Sequence, residues 1–174
     1  MNEKVRSMTR MAACTAVLCV LSQISFPLPS GVPVTLQTLG MALCGCLLGV
    51  RRGAICVAVY LLLGMAGLPV FAGFTGGVSK LAGPTGGFLI GFIFLAALCG
   101  LARGKAGLAP WLYMALGLLL CHAAGVIQFA LLGGRSLTES FLVVSLPYIV
   151  KDALSLAAGR LLAAGIDKRL APIA

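Results

Sequence analysis

Long apolar stretches, separated by short polar or glycine- and proline-rich joints, run the length of the chain. Six are apparent: Met11–Phe26, Val34–Val50, Ala54–Pro69, Gly86–Leu101, Pro110–Leu132 and Phe141–Ala164. Polar and apolar positions do not alternate within them, as the strands of a membrane barrel would require. They read as helices. Hydrocarbon about 30 Å thick needs about 20 residues of helix at ~1.5 Å per residue. The third and fourth runs fall short, so flanking glycine and proline extend the helix or these helices stand nearly upright. The first run, with its basic start, also has the form of a signal peptide. Its small-residue exit at Ser25–Ser30 is crowded with prolines and the next run follows at once, so it is expected to remain a span.

Composition strengthens this picture. Of 174 residues, 60% are hydrophobic and 10% charged, and the mean hydropathy is +1.10. Soluble domains are about a quarter charged. A soluble enzyme, a disordered chain and a disulfide-stapled secreted domain are therefore excluded. The expected architecture is an all-α integral membrane protein of six transmembrane helices, forming one domain over residues 1–174.

The formal charge of +9 changes the picture only through its distribution. The basic residues sit in ones and twos between apolar runs, with no patch for a nucleic acid. With the N-terminus inside, ten cations face the cytoplasm, two (Lys80 and Arg135) face outward, and Lys151 lies within a span. The positive-inside rule then makes both termini cytoplasmic. The glycine- and proline-rich connections, including a glycine-rich loop between the third and fourth helices, fall on the outer face, where loops on a rigid scaffold tend to carry binding. The seven cysteines all lie in apolar stretches and behave as small hydrophobes, so neither a metal nor a disulfide is expected.

Several residues exceed what a helical bundle needs. Leu68–Gly87 reads LPVFAGFTGGVSKLAGPTGG, with two Thr-Gly-Gly triplets. With Phe71, Gly76, Gly77, Lys80 and Gly86 it is either a ligand-contacting lid or a tight connection between short helices. Gly87 and Gly91 have small-xxx-small spacing, which suits helix packing as well as ligand contact. No lysine followed by serine or threonine trails the glycines, so this is not a phosphate loop.

The sharpest anomaly is Lys151–Asp152 deep in the last run. A bare charge in hydrocarbon is costly, so such side chains face a bundle interior or cavity. Lys151 would meet an anionic group and Asp152 would accept N–H donors. The structural alternatives are a self-neutralising pair or snorkelling of Lys151 to the headgroups. Tyr148 lies one turn before Asp152, and Pro147 loosens the helix at that level. Gln37 and Gln128 are further cavity candidates, whereas His122 is expected to be a packing residue. Ala12, Ala13 and Ala16 give the first helix a small face that permits close approach by a partner. With one histidine, no H-E-x-x-H and no G-x-S-x-G, no catalytic set is present and no enzyme is expected. Ser155 four residues after Lys151 lacks any oxyanion-stabilising arrangement.

Four segments carry a family resemblance: PVTLQTLG at Pro33–Gly40, LLG-x-RRGA at Leu47–Ala54, YLLLGMAGLPVFAG at Tyr60–Gly73 and LAGPTGGFLIGF at Leu81–Phe92. Their order and spacing resemble the BioY family, the biotin-binding S components of energy-coupling-factor (ECF) importers. The resemblance implies a bacterial plasma-membrane (inner-membrane) vitamin-uptake subunit with no cofactor of its own. It would hold biotin in a cavity near the outer face, beneath extracellular loops. A transmembrane coupling protein and two ABC ATPases would be its partners, with Ala12 and Ala16 as the docking motif. The family's last helix carries a proline-aromatic pair, then an aspartate, then a lysine three residues on. Here Pro147, Tyr148 and Asp152 match, but Ser155 takes the lysine's place and the cation precedes the aspartate as Lys151. The candidate ligand contacts from both readings are Lys151, Asp152, Tyr148, Gln128, Gln37, Phe71, Gly76, Gly77, Lys80 and Gly86. The alternatives are a binder of another small vitamin or solute on the same fold, or a self-sufficient small carrier.

Overall fold

The computed structural model describes residues 2–170. The extreme C-terminus, and with it part of the expectation about both termini, lies outside the described residues. Helix α1 spans Glu3–Gln23 and is capped by Asn2, whose Oδ1 accepts from the Lys4 amide at 3.1 Å. Two short strands follow, β1 (Ser25–Phe26) and β2 (Val34–Thr35), paired antiparallel. Then come α2 (Gln37–Leu48), α3 (Val50–Met65), a single turn α4 (Ser79–Ala82), α5 (Gly86–Leu101), α6 (Ala109–Gly133), α7 (Leu137–Val144) and α8 (Leu146–Leu170).

The apolar runs became helices, and α5 has the expected bounds. The differences have local causes. The basic N-terminus continues α1 backwards to Glu3, because nothing in that polar stretch breaks a helix once Asn2 caps it. The second run starts as strand, because Val34 and Thr35 pair with Phe26 and Ser25. The last run is two helices meeting at 51° around Ser145. Pro147 lacks the N–H that would bond the carbonyl of residue 143, so the ladder opens there. Among the described residues, α1 and α6 are long and apolar enough to cross a membrane, and the bent α7–α8 pair would make a third span. Helices α2 and α5 are apolar but shorter.

Helix α2 is the hub. Ten of its 12 residues are buried, because α1, α3, α5 and α8 all pack around it. Such enclosure needs small residues. An added Cβ at Gly45 would strike the Ala96 carbonyl and the Cys99 side chain on α5, and one at Gly53 would meet the backbone of Gly45. Gly87 and Gly91 do the same work between α5 and α6, against Ala124, Gly125 and Cys121, so both serve helix packing.

Gly45→Leu is therefore expected to lower stability by about 1–3 kcal/mol or more, the range for overpacking a filled interior. Gly165→Ala, where no atom lies within 4 Å of the new Cβ, should be neutral or stabilising by about 0.5–1 kcal/mol. Thermal unfolding in detergent distinguishes them; equal effects would contradict the packing role.

Candidate ligand-binding site

The starts of α2 and α8, the first turns of α5 and the middle of α6 stand apart enough to leave a cavity of about 340 Å³. That lies within the ~300–1,000 Å³ typical of small-molecule sites. Its floor is apolar, formed by Phe88, Leu89, Phe92, Leu95 and Leu118. One wall is polar and centres on Asp152, which is only 7% exposed.

A buried carboxylate needs partners. Asp152 Oδ1 accepts from the Thr38 hydroxyl at 2.5 Å and from the Lys151 ammonium. Oδ2 lies 3.2 Å from His122 Nε2, and His122 Nδ1 is 2.8 Å from Ser145 Oγ. Lys151 also donates to the Thr35 carbonyl at 2.8 Å. Its long stem folds back, so ammonium and carboxylate meet although their Cα–Cβ bonds diverge by about 100°. A second polar run continues inward. Thr35 Oγ1 donates to Gln37 Oε1 (2.9 Å), Gln37 Nε2 donates to Tyr60 OH (2.7 Å), and the Tyr60 hydroxyl is hydrogen-bonded to Ser22 (3.0 Å).

Two connections roof the cavity. Between β1 and β2, residues 31–33 are held by Tyr148, whose hydroxyl donates to the Val32 carbonyl and lies 2.9 Å from Ser30 Oγ. The glycine-rich segment between α3 and α5 contributes Phe71, Ala72, Thr75, Lys80 and Pro84. Phe71 is buried edge-to-face on Tyr60, 5.5 Å between centroids, in a notch that Gly64 leaves open. Phe74 turns outward and is exposed.

Of the residues expected to touch a ligand, Lys151, Asp152, Tyr148, Gln37, Phe71 and Lys80 line this cavity; Gln128, Gly76, Gly77 and Gly86 do not. Gln128 spends its amide on the carbonyls of Leu81 (2.7 Å) and Gly83 (2.8 Å), fastening the roof to α6. The glycines serve the roof's own geometry. Gly77 has φ +98° and donates to the Gly64 carbonyl at 2.7 Å. A side chain at Gly76 would strike the Leu68 carbonyl, and one at Gly86 the Leu81 carbonyl. At the other end Gln23 donates to the Val70 carbonyl (3.1 Å) and accepts from the Phe74 amide (2.8 Å).

His122 is the main correction. Expected to pack, it lines the cavity and bonds the central carboxylate. An ionisable residue inside an apolar span is itself a signal for a site. Thr38 also belongs to the site: a membrane threonine ordinarily bonds its own backbone, but this one donates to Asp152. Ala12 and Ala16 are surface residues in a shallow apolar groove between α1 and α3.

With this geometry in place, likeness to known proteins is decisive. The BioY family model matches residues 1–172. The chain belongs to the BioY family. A relative named biotin transporter BioY in Thermotoga maritima is 36% identical over 169 residues, covering 94% of this chain and 97% of that one. Another of the same name, from Rhizobium etli, is 37% identical over 142 residues and 75% of each chain. The fold matches a crystal structure described as the S component for biotin from an ECF-type ABC transporter, with a TM-score of 0.86 and 27% identity over 97% of this chain and 95% of that one. BioY membership and the apolar helices together make this a membrane protein.

If glutamines fasten the roof of this BioY protein, Gln128→Ala should speed amide exchange across residues 81–86 by at least about tenfold, from two lost hydrogen bonds. Gln23→Ala should loosen residues 69–75 instead. Exchange mass spectrometry in detergent reads both, and unchanged protection would contradict the anchoring role.

Proposed function

We propose that this chain is the biotin-capturing S component of an ECF importer. The carrying observation is the cavity itself: an apolar, aromatic floor opposite a buried carboxylate, with a lysine on the roof. A ureido N–H of biotin suits the open acceptor position of Asp152, the thioether ring suits Phe88 and Phe92, and the carboxylate needs a cation. Lys151 is committed to Asp152 and the Thr35 carbonyl. Lys80 lines the cavity and, among the described residues, its ammonium has no hydrogen-bonded or ionic partner, which favours it over Lys151 as reader of the carboxylate.

In this reading the chain is one domain that crosses the plasma (inner) membrane six times, with α7–α8 as one bent span and the N-terminus cytoplasmic. The charge distribution supports that orientation, which turns the roof outward. Capture needs no chemistry from this chain. The energy would come from two separate ATPases through a transmembrane coupling protein docked along the Ala12–Ala16 groove. Both alanines are exposed, and an apolar groove beside small residues permits close helix approach.

Calorimetric titration of the detergent-purified chain, without partners, should show saturable one-to-one biotin binding in the nanomolar range. No heat from folded protein at micromolar biotin would overturn the assignment. Lys80→Ala is expected to weaken biotin about 10–100-fold, as for loss of a charged hydrogen bond, and to weaken a biotin amide far less. Equal losses would remove Lys80 from the carboxylate site.

A further inference from the structure

We infer that His122 is a positioning residue that sets how Asp152 meets a ligand's N–H donor. The inference rests on the biotin reading above and adds a specific acceptor geometry to it. An ionised carboxylate offers about four acceptor positions. Thr38 and Lys151 occupy two on Oδ1, and His122 occupies one on Oδ2. One position, on Oδ2, is left for the ligand. Without His122 both Oδ2 positions would be open and the carboxylate would have no fixed orientation on that side.

The ring is held from three directions. Nε2 meets Asp152, Nδ1 meets Ser145, and the ring stands edge-to-face on Phe88 at 5.8 Å and 89°. The Asp152 carboxylate only accepts, so the ring donates from Nε2, and Nδ1 is left to accept the Ser145 hydroxyl, which has no other side-chain hydrogen bond among the described residues. The neutral imidazole then carries its proton on Nε2 and donates it to Asp152. Ser145 sits at the joint between α7 and α8, with φ −123° and ψ −57°. The acceptor for the ligand is thereby tied, through one ring, to the bend that Pro147 opens.

His122 is the only histidine in the chain, so ¹⁵N-histidine labelling of protein without a polyhistidine tag reports this ring alone. The expected spectrum without ligand has the proton on Nε2, and its shifts move in Asp152→Asn. A proton on Nδ1, or a spectrum indifferent to Asp152→Asn, would overturn the inference whether or not biotin binds. Binding tests the consequence. His122→Phe keeps a ring of similar shape and should lose about 10–100-fold in affinity, the scale at which residues that orient a site's contacts act. The loss should be equal for biotin and its amide, because His122 acts at the ureido end. His122→Gln restores a donor near the Nε2 position and should recover most of the loss. In an Asp152→Asn background His122→Phe should cost nothing further. Additive losses, or no recovery by glutamine in folded protein, would contradict the positioning role. Wild-type protein that binds no biotin would sink the biotin reading instead, a result the spectrum distinguishes.

Discussion

A carboxylate buried within apolar helices governs the arrangement of this protein. Left alone, Asp152 would cost several kcal/mol. Its partners come from three elements: Thr38 from α2, His122 from α6, and Lys151 from α8 itself. Satisfying one charge therefore fixes where three helices approach at a single level. The space that their bulkier neighbours cannot fill becomes the cavity. Fold and site have the same origin, since the group that is most expensive to bury is also the group that can recognise a polar ligand.

The roof follows a different logic. The segment between α3 and α5 has little regular structure and few apolar side chains to bury, apart from Phe71. It is held by side chains reaching from long helices: Gln23 from α1 near one end and Gln128 from α6 near the other. Tyr148 does the same for the β1–β2 connection from α8. Each anchor uses a few hydrogen bonds, each worth about a kcal/mol net. Opening the roof is thus far cheaper than separating the glycine-packed helices beneath it. That ordering suits a site that must admit and release a ligand while its floor stays fixed.

Much of this was legible in the sequence, where the cause was local. Hydropathy marked the helices, Gly87 and Gly91 showed a packing spacing, and Lys151–Asp152 stood out because charge inside an apolar run has few explanations. The four segments quoted above also carried the BioY likeness. What escaped depended on partners far apart in the chain. Gln128 looks like a cavity residue until Leu81 and Gly83, more than forty positions away, claim its amide. His122 looks like packing until Asp152, 30 positions on, arrives beside it. The bend at Ser145 was foreshadowed by Pro147, but its consequence for His122 depends on α6 lying alongside. Periodicity places a residue on a helix face and is silent about what that face meets.

The central claim is that the Asp152 cluster builds a biotin site that is complete within this one chain. Native mass spectrometry of the chain, expressed in biotin-containing medium and released from detergent without partners, tests it most directly. One retained biotin per wild-type chain, and none in a folded Asp152→Asn variant, is the predicted result. An empty folded wild type, or equal occupancy in the variant, would contradict it.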